Sequence, residues 1–495
     1  MGDPSNLDPD NRITLVSGIV CTPEQVGAQL TGPCTRLAYV CRTCPCNLHN
    51  GLCNRHLKKR NACVGDFSHF KSLIKSVELE LTSEYVKAYG EWEEGWFKKW
   101  PESKRKLITK SVEIDSVRPS EVKCMVKKEC GSKPPTKARC IQFYVNLKTQ
   151  SIMAPKVYSL QKAFGKVLRK CGKGITVTFA SGMNNAEIAE WMDFVFSDLA
   201  DVRFYERDGK NWDASMGEEH QNLKEFCYAA VSGDSPLIAF LRACACVKGR
   251  HFSRHGSKVF YRVKFTTKSG HNDTTLGNSL VNAAIAYCVC LEMGLKAHII
   301  VAGDDLIVAI QGDFDEKEFA RRESEYGINP EYRKFSDYLD VTFISGMFLR
   351  TDEGFAFLPQ AGRLLANLCW TIKPPSERKR LGYLRGVALG LWPTCGGLPV
   401  MGAWLRAIIN QSDGMKVWYD NVFTRDYYEY TGNISYGYTG KSEFMRRYGL
   451  VPADVVEVES LLEKYATTPC LLGHPVLQSM TERDLADITE RITHL

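Results

Sequence analysis

The chain has 495 residues, with 64 Lys and Arg against 57 Asp and Glu, a net charge of +7. Its 44% apolar and 24% charged content excludes a disordered or fibrous protein, and its length allows about two to four domain-sized units or one large enzyme built around a shared cleft. The modest basic balance permits a polyanionic partner without requiring one.

The chain opens on the polar run MGDPSNLDPDNR, and its 19 cysteines are an odd number. Both features favour free thiols in a reducing compartment. Residues 34–63 gather Cys34, Cys41, Cys44, Cys46, His49, Cys53, His56 and Cys63. The spacing Cys41-x2-Cys44 suits a zinc knuckle, which His49, Cys53 or His56 could complete as a structural Zn²⁺ site. Cysteine is also readily buried as a small hydrophobe, so the cluster leaves zinc open. Basic residues then crowd 97–110 and 123–140, as a solvated face or as a surface for anions.

Further along, NNAEIAEWMDFVFSDL (184–199) puts Ile188, Trp191, Met192, Val195 and Leu199 on one stripe of a helix. The extended run VRFYERDGKNWDASM (202–216) leads to Asp208, with Asp213 five residues on. Standing alone, these two would read as turn or N-cap residues. In 267–294, Ser269-Gly270 makes a flexible loop. Thr274 and Asn278 are four apart on one face of the helix that follows, which ends at Gly294.

HIIVAGDDLIVAI (298–310) reads as two β-branched strands joined by a turn that presents Asp304 and Asp305. Carboxylates in so apolar a setting need a partner or a metal. A carboxylate ending one strand and others at a neighbouring hairpin tip can hold two divalent cations for in-line phosphoryl transfer, a task that suits Mg²⁺. Residues 343–359 read as strand, turn, strand. The uncharged stretch 386–405 holds five Gly and two Pro and reads as helix, turn, helix in a core, not as a membrane span. The last 45 residues lean acidic.

The order Asp208-x4-Asp213, Ser269-Gly270-x3-Thr274-x3-Asn278, Gly303-Asp304-Asp305 resembles motifs A, B and C of viral RNA-dependent RNA polymerases. The style is closest to tombusvirus- and nodavirus-like positive-strand RNA viruses. The resemblance implies catalytic and metal-binding roles for Asp208, Asp304 and Asp305, with Mg²⁺ as cofactor and Mn²⁺ as a substitute. It assigns ribose contacts to Asp213 and Asn278, with Ser269, Gly270 and Thr274 beside them.

VKKECGSKPPTKARCIQ (126–142) resembles motif F, whose basic side chains bind the triphosphate. Arg139 matches its characteristic arginine, and Lys127, Lys128, Lys133 and Lys137 accompany it. Lys334, in 326–350, matches the motif D lysine that protonates departing pyrophosphate. Residues 343–359 match the motif E hairpin, and NLHNGLCNRHLKKR resembles a fingers segment that needs no metal. The resemblance departs at Glu206-Arg207, where the family strand is usually apolar, and that leaves the strand's register open.

The fold implied is α+β, a right hand with fingers, a palm whose antiparallel sheet is backed by helices, and a mostly helical thumb. The N-terminal segment and fingers take residues 1–195. The palm takes 196–350, with a fingers insertion near 222–266, and the thumb and C-terminal region take 351–495. Expected partners are RNA template and product, NTPs, and other viral replication proteins that supply membrane attachment, since no transmembrane segment is expected here. The expected location is the host cytoplasm, in membrane-associated replication complexes. Two rivals remain: a reverse transcriptase, which Asp213 with Asn278 and the lack of an RNase H-like region disfavour, and an RNA-binding scaffold with a degenerate palm, which the intact aspartates disfavour.

Overall fold

The computed structural model describes residues 7–9, 11–16, 24–26, 28–29, 35–41, 44–127, 130–131, 139–170, 174–209, 211–252, 258–368, 370–372, 376–418, 434–487 and 490. The fold is α+β. Its N-terminal part runs through β1 (Arg12–Val16), α1 (Pro45–Arg55), α2 (Ser68–Ser76), α3 (Glu78–Lys98), α4 (Glu102–Ile114), β2 (Glu121–Val126), β3 (Cys140–Tyr144) and α5 (Ala154–Val167). Helix α1 starts where Cys44 Sγ accepts the Asn47 N–H and Pro45 supplies a preset φ.

The middle of the chain forms β4 (Ile175–Phe179), α6 (Asn185–Asp198), β5 (Val202–Gly209), α7 (Glu218–Ser232), α8 (Ser235–Ala245), β6 (Cys246–Phe252), β7 (Lys258–Lys264) and α9 (Thr274–Glu292). After these come β8 (Ala297–Ala302), β9 (Asp305–Gln311), α10 (Glu316–Glu325) and β10 (Pro330–Phe335). The hairpin β6–β7 joins the strands of the N-terminal part in one sheet of order β1-β7-β6-β2-β3.

The central sheet has the order β10-β5-β9-β8-β4. Its pairs are antiparallel except β4–β8, which is parallel. The sheet expected to be antiparallel therefore has one parallel edge. The chain leaves β4 through α6 and returns to the sheet's middle before laying down β8, a long connection of the kind a parallel pair requires.

The strands β8 and β9 alternate their side chains between two cores. Leu306, Val308 and Ile310 join Tyr205 and the apolar side of α9. Ile307 and Ala309 join Phe204 and the stripe of α6, where Ile188, Trp191, Met192, Val195 and Leu199 are all buried. Helix α6 opens with a reciprocal cap between Asn184 and Glu187. The sheet's end is thus clamped on both faces, which holds the β8–β9 turn in place.

The remainder begins with the hairpin of β11 (Gly346–Thr351) and β12 (Gly354–Pro359). It continues as α11 (Ala361–Asn367), α12 (Glu377–Cys395), α13 (Met401–Gln411), α14 (Gly437–Tyr448), α15 (Pro452–Tyr465) and α16 (Pro475–Leu485). The Gly- and Pro-rich stretch expected as helix, turn, helix is the end of α12, a turn and α13, packed into one core with α14, α15 and α16. Among the described residues, one helix is long and apolar enough to cross a membrane, and it is the mostly buried core helix α9.

Candidate active site

Strand β5 ends beside the β8–β9 turn. The last paired residues are Arg207 and Leu306, so one step further Asp208 and Asp305 stand opposite each other, with Asp304 in the turn. Glycine is needed in that turn because Gly303 has φ +68°. By alternation along the strands, Asp208 and Asp305 lie on the face of Glu206 and Ile307.

All three aspartates are exposed to solvent, yet each is held above the ordinary carboxylate range. Crowding by protein, which strips water, is the first cause for each. Repulsion comes next: Asp304 and Glu331 act on Asp208, Asp213 acts on Asp304, and Asp304, Asp208 and Glu206 act on Asp305, which is pushed up to about 7. Like charges crowded in this way are relieved by a bound cation, and a set of carboxylate oxygens suits a hard divalent ion. No three His, Cys, Asp or Glu side chains among the described residues are already drawn to the spacing of a metal site.

The polar residues that left the register of β5 open are both accounted for. Glu206 accepts hydrogen bonds from the Thr342 N–H at 2.9 Å and Oγ1 at 2.7 Å. Arg207 Nε donates to Glu323 Oε1 at 3.1 Å, Nη2 donates to Asn282 Oδ1, and the guanidinium lies 5.0 Å from the Trp212 ring centroid. These partners make a polar strand end tolerable in a buried position, although Arg207 Nη1 has no hydrogen-bond partner among the described residues.

Beyond β5 the chain makes a single helical turn, Trp212–Ser215, that carries Asp213. Asn278 Nδ2 donates to Asp213 Oδ1 at 3.5 Å, and Thr267 Oγ1 donates to Asn278 Oδ1 at 2.9 Å. The Thr267 N–H also donates to the Asp213 carbonyl at 3.1 Å. Loss of water raises the Asp213 carboxyl, while Arg55, the Asn278 bond, Arg139 and Lys268 pull it back. The carboxylate is therefore surrounded by donors and positive charge.

Residues 54–377, about two thirds of the chain, match the family described as RNA dependent RNA polymerase. The chain belongs to the viral RNA-dependent RNA polymerases. The polymerase is an RNA-directed nucleotidyltransferase that binds RNA and NTPs, and enzymes of its family use divalent metal ions. No curated protein matches the chain. The matched segment spans Asp208, Asp304 and Asp305, and also Arg55 and Arg139.

Arg139 is exposed and sits where strand β3 begins, and its charge reaches both Asp213 and Asp304. The Lys127 N–H donates to the Arg139 carbonyl at 2.7 Å, closing the base of the segment. Lys128, Lys133 and Lys137 lie outside the described residues. Arg55, in the last turn of α1, acts on the same two aspartates. Sequence reasoning missed it, although it lies in the quoted run NLHNGLCNRHLKKR.

The loop before α9 is tightly built. A Cβ on Gly270 would come within 2.5 Å of the Gln142 carbonyl oxygen, so the close approach to β3 needs glycine. Ser269 Oγ donates to the Cys140 carbonyl at 3.3 Å. Thr274 Oγ1 is spent on the loop's own carbonyls, Lys268 at 2.7 Å and His271 at 2.9 Å, so it closes the loop and the hydroxyl at Asn278 comes from Thr267. Lys268 is buried with Nζ on the Ala245 carbonyl at 2.6 Å, and burial beside Lys224 pushes its pKa down to about 7.

Lys334 is not brought to the aspartates. It pairs with Tyr205, on the sheet face opposite to Glu206, and its ammonium lies 2.9 Å from Asp313 and 3.0 Å from Glu316. Its neighbour Arg333 pairs with Glu206 and shares the face of the carboxylates. A strand of period two can offer only one of these adjacent residues to that face.

In the cysteine cluster, Cys34 and the side chain of Cys41 lie outside the described residues. Cys53 Sγ is 3.7 Å from His49 Nδ1. His56 is buried with its pKa down at about 4, burial being the main cause.

Proposed function

We propose that this polymerase copies a viral RNA genome by template-directed, two-metal nucleotidyl transfer from NTPs. The observation that carries the reading is the convergence of Asp208, Asp304 and Asp305 at one end of the central sheet, with Asp213 and Asn278 bonded beside them. Asp208 and Asp304 would hold the cations and Asp305 would assist. When bound, Mg²⁺, or Mn²⁺ in its place, lowers the pKa of the attacking 3′-hydroxyl and stabilises the charge on departing pyrophosphate.

The chain's own groups do the rest. Arg139 and Arg55 offer fixed positive charge to the triphosphate, worth most as charge develops on the leaving group. Asp213 and Asn278, steadied by Thr267, would accept and donate to the ribose 2′-hydroxyl. The engagement of Lys334 on Asp313 and Glu316 argues against it as the proton donor.

In this reading residues 1–195 supply the N-terminal segment and fingers, and 196–350 form the palm, with the insertion near 222–266 belonging to the fingers. Residues 351–495 form the thumb. Support for the insertion comes from the sheet that β6 and β7 share with β1, β2 and β3. Template and product would be held through phosphates and sugars, since base pairing carries the sequence information. Membrane attachment in host cytoplasmic replication complexes would come from other viral proteins.

The test is RNA synthesis by purified protein on a short template, with and without a primer, in Mg²⁺. Template-dependent incorporation that Asp304→Asn abolishes supports the reading. Incorporation that survives Asp304→Asn overturns the metal assignment.

A further inference from the structure

We propose that Ser279 and Asn282 are positioning residues of the active site, setting the place of the Asp304–Asp305 turn relative to Asp208. They stand three residues apart on α9, hence on one face, and both are buried, at 1% and 0% exposure. Ser279 Oγ accepts the Gly303 N–H at 2.8 Å. Asn282 Nδ2 donates to the Gly303 carbonyl at 3.0 Å and to the Asp305 carbonyl at 3.3 Å. The backbone on both sides of Asp304 is therefore held by one helix.

The same Asn282 amide reaches the other strand. Its Oδ1 accepts from Arg207 Nη2, and Arg207 is the residue before Asp208. Arg207 is itself fixed by Glu323, whose other oxygen accepts the Tyr205 hydroxyl at 2.7 Å. A short backbone-to-amide path thus joins the end of β5 to the β8–β9 turn. Ladder hydrogen bonds between β5 and β9 stop at Arg207 and Leu306, so at the aspartates the side chain of Asn282 takes over from the sheet.

Groups that orient metal ligands without touching the metal commonly govern affinity by about ten- to hundredfold. Asn282→Asp keeps the size of the side chain but cannot donate to the two carbonyls, so the turn loses its hold while Arg207 keeps a partner. Ser279→Ala removes the bond to the Gly303 N–H alone.

This inference rests on the reading of Asp208 and Asp304 as metal ligands. The experiment measures Mn²⁺ binding to nucleotide-free, full-length protein by electron paramagnetic resonance, with RNA affinity and thermal unfolding followed alongside. Asn282→Asp is expected to weaken Mn²⁺ binding about tenfold or more, and Ser279→Ala by less. Ser279→Thr, which keeps the hydroxyl, should restore it, and RNA affinity should not change. If Asn282→Asp fails to fold, Ser279→Ala and Ser279→Thr carry the test. If Asp304→Asn weakens Mn²⁺ binding while the Asn282 and Ser279 variants that fold bind it as wild type does, the positioning role is overturned alone. If Asp304→Asn also binds Mn²⁺ normally, the metal assignment itself falls.

Discussion

Arg207 and Glu323 form an ion pair, 3.1 Å from Nε to Oε1, with both side chains wholly shut from solvent, one residue before Asp208. Burying two charges is costly, and removing one leaves the other unpaired in the core at about 3–5 kcal/mol. Glu323→Ala should lower stability by that amount, read from urea unfolding. Glu318→Ala, which breaks contacts to Arg321 and Arg322 at the surface, should leave the midpoint nearly unmoved. Equal effects at the two positions would mean that the buried pair adds nothing of its own.

Asp304→Asn should leave RNA affinity nearly intact, because binding rests on basic side chains, while synthesis falls by orders of magnitude. Asp305→Asn should be milder, because in the proposed site Asp305 only assists Asp208 and Asp304. Filter binding and primer extension on the same preparations test the order, and a larger loss at Asp305 would reverse the roles of the two.

Much of this arrangement could be read along the chain. The stripe from Ile188 to Leu199 announced α6, and the β-branched runs around Gly303-Asp304 announced the hairpin, because both depend on local periodicity. What stayed hidden depends on residues far apart. Glu206 and Arg207 looked misplaced because Thr342 and Glu323 lie more than 100 positions further on. Arg55 was missed since only folding brings α1 toward Asp213 and Asp304. The face that Lys334 takes was hidden for the same reason, since it turns on a strand register that no single stretch records.

For the basic wall, Arg139→Ala and Arg55→Ala should each raise KM for NTP and lower kcat, since a charge facing the triphosphate counts most as pyrophosphate departs. Steady-state kinetics at saturating template separates this from a role in the RNA groove. In that second case template affinity would fall and NTP kinetics would stay normal.

His220 makes stability depend on pH. Its Nδ1 accepts the Gly217 N–H at 2.9 Å and its Nε2 faces the Tyr326 carbonyl at 2.8 Å, which fixes a neutral ring with the proton on Nε2. Burial pushes its pKa down to about 4. Between about 4 and the ordinary value near 6.5, the unfolded chain takes up a proton that the folded chain refuses. Stability is therefore lost as pH falls through that window, by up to about 1.4 kcal/mol per pH unit. His220→Gln keeps an acceptor and a donor without titrating, so its unfolding free energy should fall less steeply between pH 6.5 and 4. Parallel curves for the two proteins would remove His220 as a source of the acid sensitivity.

Sugar selection gives the sharpest test of the site. Asp213, Asn278 and Thr267 form one hydrogen-bonded chain. A site built to hydrogen-bond a hydroxyl rejects an analogue without it, because its polar groups are then left unpaired. Asp213→Ala or Asn278→Ala should lower kcat/KM for rNTP far more than for dNTP, so that discrimination collapses. Thr267→Val should do the same more weakly, as it removes only the group that orients Asn278. Asp208→Ala should abolish both reactions together, since holding a cation does not depend on the sugar. Equal losses for rNTP and dNTP in Asp213→Ala and Asn278→Ala would instead give the pair a purely structural role, joining the turn at Trp212–Ser215 to α9.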